Sequence, residues 1–160
     1  MTATPADRSG SPRRYVRPDH GMDRRLNALV RWLTAHGVSL LGSRVLTVPG
    51  RRSGQPRSTP VNLLRLDGHG YLVSPRGHTE WVRNVRAAGG EAELRLGRRT
   101  ERVVLTEVPV AERPAVLRVY LRRWGWEVGR FVEGLTPDAT DAELSDAAPG
   151  FPVFRVTPAA

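Results

Sequence analysis

Between two apolar, β-branched runs the chain reads Gly50-Arg51-Arg52-Ser53-Gly54-Gln55-Pro56-Arg57-Ser58-Thr59-Pro60. These eleven residues hold three arginines, two serines, a threonine and two glycines. Glycines let backbone N–H groups come close to an anion. Each guanidinium presents a rigid fork of donors that matches phosphate or carboxylate oxygens in pairs. A pyrophosphate, a phosphodiester or clustered carboxylates would all suit such a loop. The plain alternative is a solvated basic turn that keeps a strand edge soluble.

A second constellation follows in Ser74-Pro75-Arg76-Gly77-His78, with Trp81 and Asn84 just beyond. A loop that ends a strand and opens a helix points N–H groups outward at the helix start, and such an end favours negative charge. Trp81 can flank a planar ring and Asn84 can hydrogen-bond one. Equally, Trp81 can be a core residue and nothing more.

These residues need a scaffold, and the apolar patterning supplies one. Residues 1–20 mix Pro, Ser, Gly, Thr and charges without periodicity, and read as a flexible leader. Met22, Leu26, Leu29, Val30 and Leu33 recur at helical spacing up to His36-Gly37, with Arg24, Arg25 and Arg31 elsewhere on the wheel. Packed on the body of the protein, this helix would be ordinary. As a basic interfacial helix carrying Trp32, it would make peripheral membrane contact. Residues 44–48 read as a strand, 49–60 as a polar loop, and 61–66 as a strand apolar on both faces. Asp67-Gly68 is a hairpin turn and 71–74 the returning strand. Thr79 can cap a helix over 80–88 that Gly89-Gly90 stops. Strands over 91–96 and 100–108 flank a turn at Gly97-Arg98. A helix over 112–124 carries the stripe Val116, Leu117, Tyr120, Leu121 and Trp124. Residues 136–150 are acidic and loop-like, with a short helical turn at 141–146. A last strand covers 151–156, and Pro152 places it at a sheet edge. Hairpins of this kind must curl or be covered, and six or so short strands fit a small barrel sealed by helices.

Composition closes several doors. At 160 residues the chain is one ordinary domain, here expected over 21–160. It has no cysteine, so disulfides, thiolate metal sites and thiol nucleophiles are excluded. The four histidines are scattered, and no metal site built by the protein is expected. All 25 basic residues are arginine, and the net charge is +9, so an anionic partner is expected. Nucleic acid is disfavoured because no aromatic residues interleave the basic loop for stacking. No Gly-x-Gly-x-x-Gly follows a strand and no Walker loop is present. No apolar stretch approaches the about 20 residues of a membrane span. The apolar run of a secretory signal does not follow Arg13-Arg14 either, and the expected location is cytoplasmic.

The 50–60 segment, the strand after it and Trp81-x-x-Asn84 together resemble the deazaflavin-dependent nitroreductase family. This is the branch of the flavin/deazaflavin split-barrel oxidoreductases that includes quinone and nitro-compound reductases. The family pattern Gly-Arg-[basic]-[Ser/Thr]-Gly-Gln-Pro-Arg-x-x-Pro is matched at every fixed position. The resemblance runs in order from about Leu46 to Val108, and the final strand is similar in kind. It implies an α+β, mainly antiparallel fold, a split β-barrel or FMN-binding-like roll with flanking helices. It also implies a cofactor, the deazaflavin coenzyme F-420. By position, Arg51, Arg52, Ser53, Gly54 and Arg57 would bind the coenzyme's phosphate and oligoglutamate tail, with Pro60 ending the loop beside it. Ser74, Arg76 and Gly77 would line the ring and its linker, and Trp81 and Asn84 would hold the same pocket. His78 and Tyr120 are the candidates for proton donation, Tyr120 also fitting an apolar core.

The implied activity is hydride transfer from reduced coenzyme to a small electron-poor acceptor, a quinone, nitro compound or enone. Two alternatives stand beside it: an FMN-binding oxidoreductase of the same fold, and a non-catalytic protein that binds the deazaflavin or a similar anion. The chain departs from the family in its shorter loop before Trp81. It departs again in Trp124-Gly125-Trp126-Glu127 and the acidic stretch after it, where the family shapes its acceptor pocket. The acceptor is therefore left open. Monomer and homodimer are both compatible with the sequence.

Overall fold

The computed structural model describes residues 43–128 and 135–160. The leader over 1–20 and the helix over 22–36, with its membrane-contact reading, lie outside the described residues. The described elements are β1 (Ser43–Pro49), β2 (Pro56–Leu66), β3 (His69–Val73), α1 (Glu80–Ala87), β4 (Glu91–Leu96), β5 (Arg99–Glu107), α2 (Arg113–Val128), α3 (Asp141–Ala147) and β6 (Val153–Pro158). One 3-10 turn precedes α2 and another follows α3. The six strands close into an antiparallel barrel in the order β1-β2-β3-β6-β5-β4. The α+β, mainly antiparallel expectation is met. Among the described residues no helix is long and apolar enough to cross a membrane. No cluster of three or more His, Asp or Glu side chains among them is placed to hold a metal ion.

Alternation along the strands builds two apolar layers. Leu63, Leu72 and Phe154 are register neighbours across β2, β3 and β6, and they join Leu46, Val48, Leu94, Val103 and Leu105 inside the barrel. Val82 and Val85 of α1 complete that interior cluster. The alternate residues Leu64, Val73 and Val153 belong to a second cluster beneath α2 and α3, with Val116, Leu117, Tyr120, Leu121, Trp124 and Leu144. The run at 61–66 is apolar on both faces because one face fills the barrel and the other meets a helix layer. Each fully buried Leu or Val contributes about 1.5–3 kcal/mol relative to exposure. The α2 stripe read from the sequence is the buried one, while Arg122 and Arg123 point to solvent.

Four sequence expectations are corrected. The strand expected from residue 61 begins at Pro56, so the reversal is confined to 50–55 and residues 57–60 are strand. The ladder with β1 runs from Ser43↔Asn62 to Pro49↔Pro56 and carries Pro49, Pro56 and Pro60. The ladder with β3 starts only at Leu63, so a missing N–H on that side of Pro60 costs no cross-strand bond there. The last strand is not an edge, because β6 pairs with β3 on one side and β5 on the other. Pro152 lies just before it, where no ladder donor is lost. The acidic stretch is less loop-like than expected: the helical turn at 141–146 is a helix, α3, opened by a capping box in which Thr140 and Glu143 satisfy each other's backbone N–H groups. Finally, Thr79 sits at the N-cap of α1 but makes no side-chain cap bond, its hydroxyl lying 3.3 Å from the Ser74 hydroxyl instead.

Candidate functional site

The β1–β2 reversal is a tight, internally bonded turn. Gly50 N–H donates to the Gln55 carbonyl at 2.8 Å, and Gly54 N–H donates to the Gly50 carbonyl at 2.7 Å. Ser53 Oγ accepts from the Gln55 N–H at 3.2 Å. Gly54 has φ +68°, the left-handed region that a residue with a Cβ enters at a cost of about 1 kcal/mol. This turn delivers Arg51 to α1. The Arg51 backbone N–H and its Nη1 both donate to Asn84 Oδ1 at 3.2 Å. Nη1 also bonds Glu80 Oε2 at 2.6 Å, and Nη2 bonds Oε1 at 3.4 Å. Asn84 is 5% exposed, so its carbonyl is a buried acceptor matched by two donors. The Glu80 carboxyl is held below the usual carboxylate range, chiefly by its hydrogen bond from Arg51 and then by the Arg51, Arg83 and Arg52 charges, with desolvation opposing. Arg51 is pushed above its ordinary value by the same bond.

The other two arginines of the segment differ. The Arg52 and Arg57 side chains are exposed and make no hydrogen bond or ion pair among the described residues, although the Arg52 charge acts on Glu80. Arg57 lies on β2 opposite Val48, and Pro60 lies opposite Val45, half-buried. Ser58 is pinned across the pair by Thr47, hydroxyl to hydroxyl at 2.9 Å.

The 74–79 loop leads into the same N-terminal end of α1. Ser74 is fully buried; its hydroxyl donates to the Gly77 carbonyl at 2.6 Å and its N–H to the Pro152 carbonyl at 2.9 Å. The hydroxyl is thus engaged in shaping the loop. Arg76 is exposed on it. Trp81 is half-buried, its ring 5.5 Å from that of Phe154 and tilted by 54°, so it is part core and part surface. His78 is exposed, and its Nδ1 lies 3.0 Å from Arg86 Nη1. An arginine can only donate, so Nδ1 is the acceptor and the ring proton of the neutral form sits on Nε2. Arg86 in turn forks onto Glu107 at 2.6 and 2.9 Å, and buried Arg113 bonds the same carboxylate at 3.0 Å. Tyr120 is 3% exposed, its ring 5.1 Å from Trp124. It lines a small apolar recess with Val73, Pro75, Leu117, Leu121 and Phe151.

The structure therefore gathers the reversal and the 74–79 loop on the first turns of α1. It brings Arg51 to Asn84, leaves Arg52 exposed on the reversal and Arg57 exposed on β2, and puts Trp81 on the same short helix. His78 and Tyr120 are not brought to Arg51. His78 bonds Arg86, two residues from Asn84 and so about 200° around the helix. Sequence reasoning missed Glu80, Arg86, Glu107 and Arg113. An acid in the first turn of a helix beside a basic loop was a usable signal for Glu80. Nothing local marks Arg113, whose burial depends on carbonyls 35 and 38 residues away.

Comparison with known proteins adds identity to this geometry. Residues 20–126 match the family model of the F420H2-dependent quinone reductase. Curated proteins give no match. Among solved structures, an F420-H2 dependent reductase is 19% identical over 72% of this chain and 94% of its own, with TM-score 0.48. An FAD-binding protein from Mesorhizobium loti is 14% identical over 84% of this chain and 89% of its own, with TM-score 0.50. A heme storage protein from Vibrio cholerae is 11% identical over 82% and 91%, with TM-score 0.50. The last two share the fold and name different ligands, so the fold alone does not choose the chemistry. The family model spans two thirds of the chain, including the arginine-bearing reversal, the 74–79 loop and α1, and the chain belongs to the F420H2-dependent quinone reductase family.

Proposed function

We propose that this chain is a reductase that binds coenzyme F-420 through the β1–β2 reversal and delivers hydride to a small electron-poor acceptor, a quinone, nitro compound or enone. One observation carries the reading: two exposed guanidinium forks, Arg52 on a turn locked to α1 through Arg51 and Asn84 and Arg57 at the start of the following strand, make no side-chain hydrogen bond or ion pair among the described residues. The donor set suits a group with several negative charges. Arg52 and Arg57 offer planar forks for phosphate or carboxylate oxygens, and the Gly54 backbone leaves room for close approach.

On this reading the chain's own residues bind, orient and move a proton. Arg52, Ser53, Gly54 and Arg57 hold the anionic portion, and Arg51 and Asn84 fix the turn that presents them. Ser74 and Gly77 set the path of the loop on which Arg76 is carried. Trp81 offers the uncovered part of its indole to a planar ring. When bound, the deazaflavin supplies the hydride donor itself. Proton donation by His78 needs the imidazolium, so Arg86 would first release Nδ1 and Nε2–H would then donate.

The test is turnover. Oxidation of reduced coenzyme F-420 is followed by absorbance with a quinone, a nitroarene and an enone, in the wild type and in Arg52→Ala/Arg57→Ala. Turnover with at least one acceptor that the double variant loses supports the reading. Binding without turnover on any acceptor makes the protein a carrier, and FMN binding in place of the deazaflavin moves it to the flavin branch.

A further inference from the structure

Arg51 is not open to a ligand in the way that Arg52 and Arg57 are. Its fork is filled by the Glu80 carboxylate, Nη1 to Oε2 at 2.6 Å and Nη2 to Oε1 at 3.4 Å. The same carboxylate reaches Arg83 Nη1 at 3.3 Å, and its side chain is 70% exposed. A ligand oxygen that engaged the Arg51 fork would have to take the place of these carboxylate oxygens. The turn does not depend on Glu80. Asn84 Oδ1 holds the Arg51 backbone, and the Gly50–Gln55 and Gly54–Gly50 bonds close the reversal by themselves.

We infer that Glu80 is an internal competitor for the anion site: it occupies the Arg51 fork and repels compact anions, so that a ligand whose negative groups are spread along a tail displaces it. The inference rests on the reading of this turn as an anion site. A compact phosphate meets two open forks and a nearby like charge. A long polyanionic tail can fill Arg52 and Arg57 and still present a further carboxylate to Arg51. Glu80 is then a specificity determinant that acts by the spacing of negative groups, since carboxylates and phosphates compete for the same guanidinium geometry.

The experiment compares wild type, Glu80→Gln, Arg51→Ala/Glu80→Gln and Arg52→Ala. Inorganic pyrophosphate binding is measured by calorimetry at two salt concentrations, and coenzyme F-420 binding by fluorescence. Glu80→Gln is expected to bind pyrophosphate about fivefold tighter, with a steeper salt dependence, from one relieved charge at the surface. The coenzyme should gain less than pyrophosphate does. Adding Arg51→Ala should remove most of the gain. Glu80→Ala should repeat the direction of the effect, and far-UV circular dichroism checks that each variant is folded. Pyrophosphate binding no tighter in Glu80→Gln, or a gain that survives loss of Arg51, overturns the inference. If Arg52→Ala loses the coenzyme while Glu80→Gln matches wild type, the competitor role fails and the proposed function stands. If wild type and every variant ignore both probes, the anion site fails and the inference falls with it.

Discussion

Asn84→Ala separates the positioning of the reversal from its charge. Asn84 Oδ1 accepts from the Arg51 backbone N–H and from Nη1, both at 3.2 Å, in a pocket where Asn84 is 5% exposed. Each bond contributes about 1 kcal/mol net, and the truncation leaves the Arg51 N–H without its partner. Nη1 retains Glu80, so the combined loss is about 2 kcal/mol. For a domain of this size, that corresponds to a fall in melting temperature of about 4–8 °C. Asn84→Asp keeps the acceptor and adds a charge. It should melt close to wild type yet bind anions about fivefold more weakly, because a like charge now faces the ligand. Thermal unfolding by circular dichroism and an anion titration read the two effects apart. An Asn84→Ala protein that melts within about 1 °C of wild type would refute the claim that this side chain ties the turn to α1.

Gly90 has φ +87°, and a Cβ there would drive into the Leu105 carbonyl oxygen, so Gly90→Ala should cost at least about 3 kcal/mol, seen as a large drop in urea midpoint. Arg113 is 5% exposed and bonds the Val108 and Ala148 carbonyls and Glu107; Arg113→Ala should destabilise by about 2–3 kcal/mol in the same assay, because the buried carbonyls lose their donor while Glu107 keeps Arg86. The Glu107 carboxyl is held below its ordinary 4.5, chiefly by the hydrogen bond from Arg86, then by the Arg86, Arg113 and His78 charges against desolvation. A depressed native value means that this stabilisation is complete above the unfolded value and is lost as pH falls through the native one. Melting temperature should therefore decline below about pH 4.5, and Glu107→Gln should melt lower at neutral pH and show a shallower decline.

Much of the barrel is legible in single residues. Asp67-Gly68 announces the β2–β3 hairpin, and the double-sided run at 61–66 announces burial on both faces. The stripe from Val116 to Trp124 announces the face of α2 that meets the sheet. The misses have physical causes. Pro56 and Pro60 argued locally for a loop, but long-range pairing with β1 overrode them, and the ladder with β3 starts only at Leu63. The Thr140–Glu143 capping box was readable as Thr-x-x-Glu, yet the acidic composition around it suggested a loop. Pro152 suggested an edge, and barrel closure gave β6 two neighbours. In the site, the anion-binding role proposed for the reversal rests on residue types that are plain in the sequence. Its division into one tied arginine and two open ones was not, because it depends on Glu80 and Asn84 arriving from 29 and 33 residues away.

Equilibrium binding of purified protein to oxidised coenzyme F-420, with FMN titrated in parallel at two salt concentrations, tests the central claim most directly. Both ligands fluoresce, so quenching or anisotropy reports occupancy. The account predicts tighter binding of the deazaflavin than of FMN, weakening with salt, and a further loss of about tenfold in Arg52→Ala and in Arg57→Ala. Binding that is indifferent to both salt and these arginines, or no binding of either ligand, would contradict it.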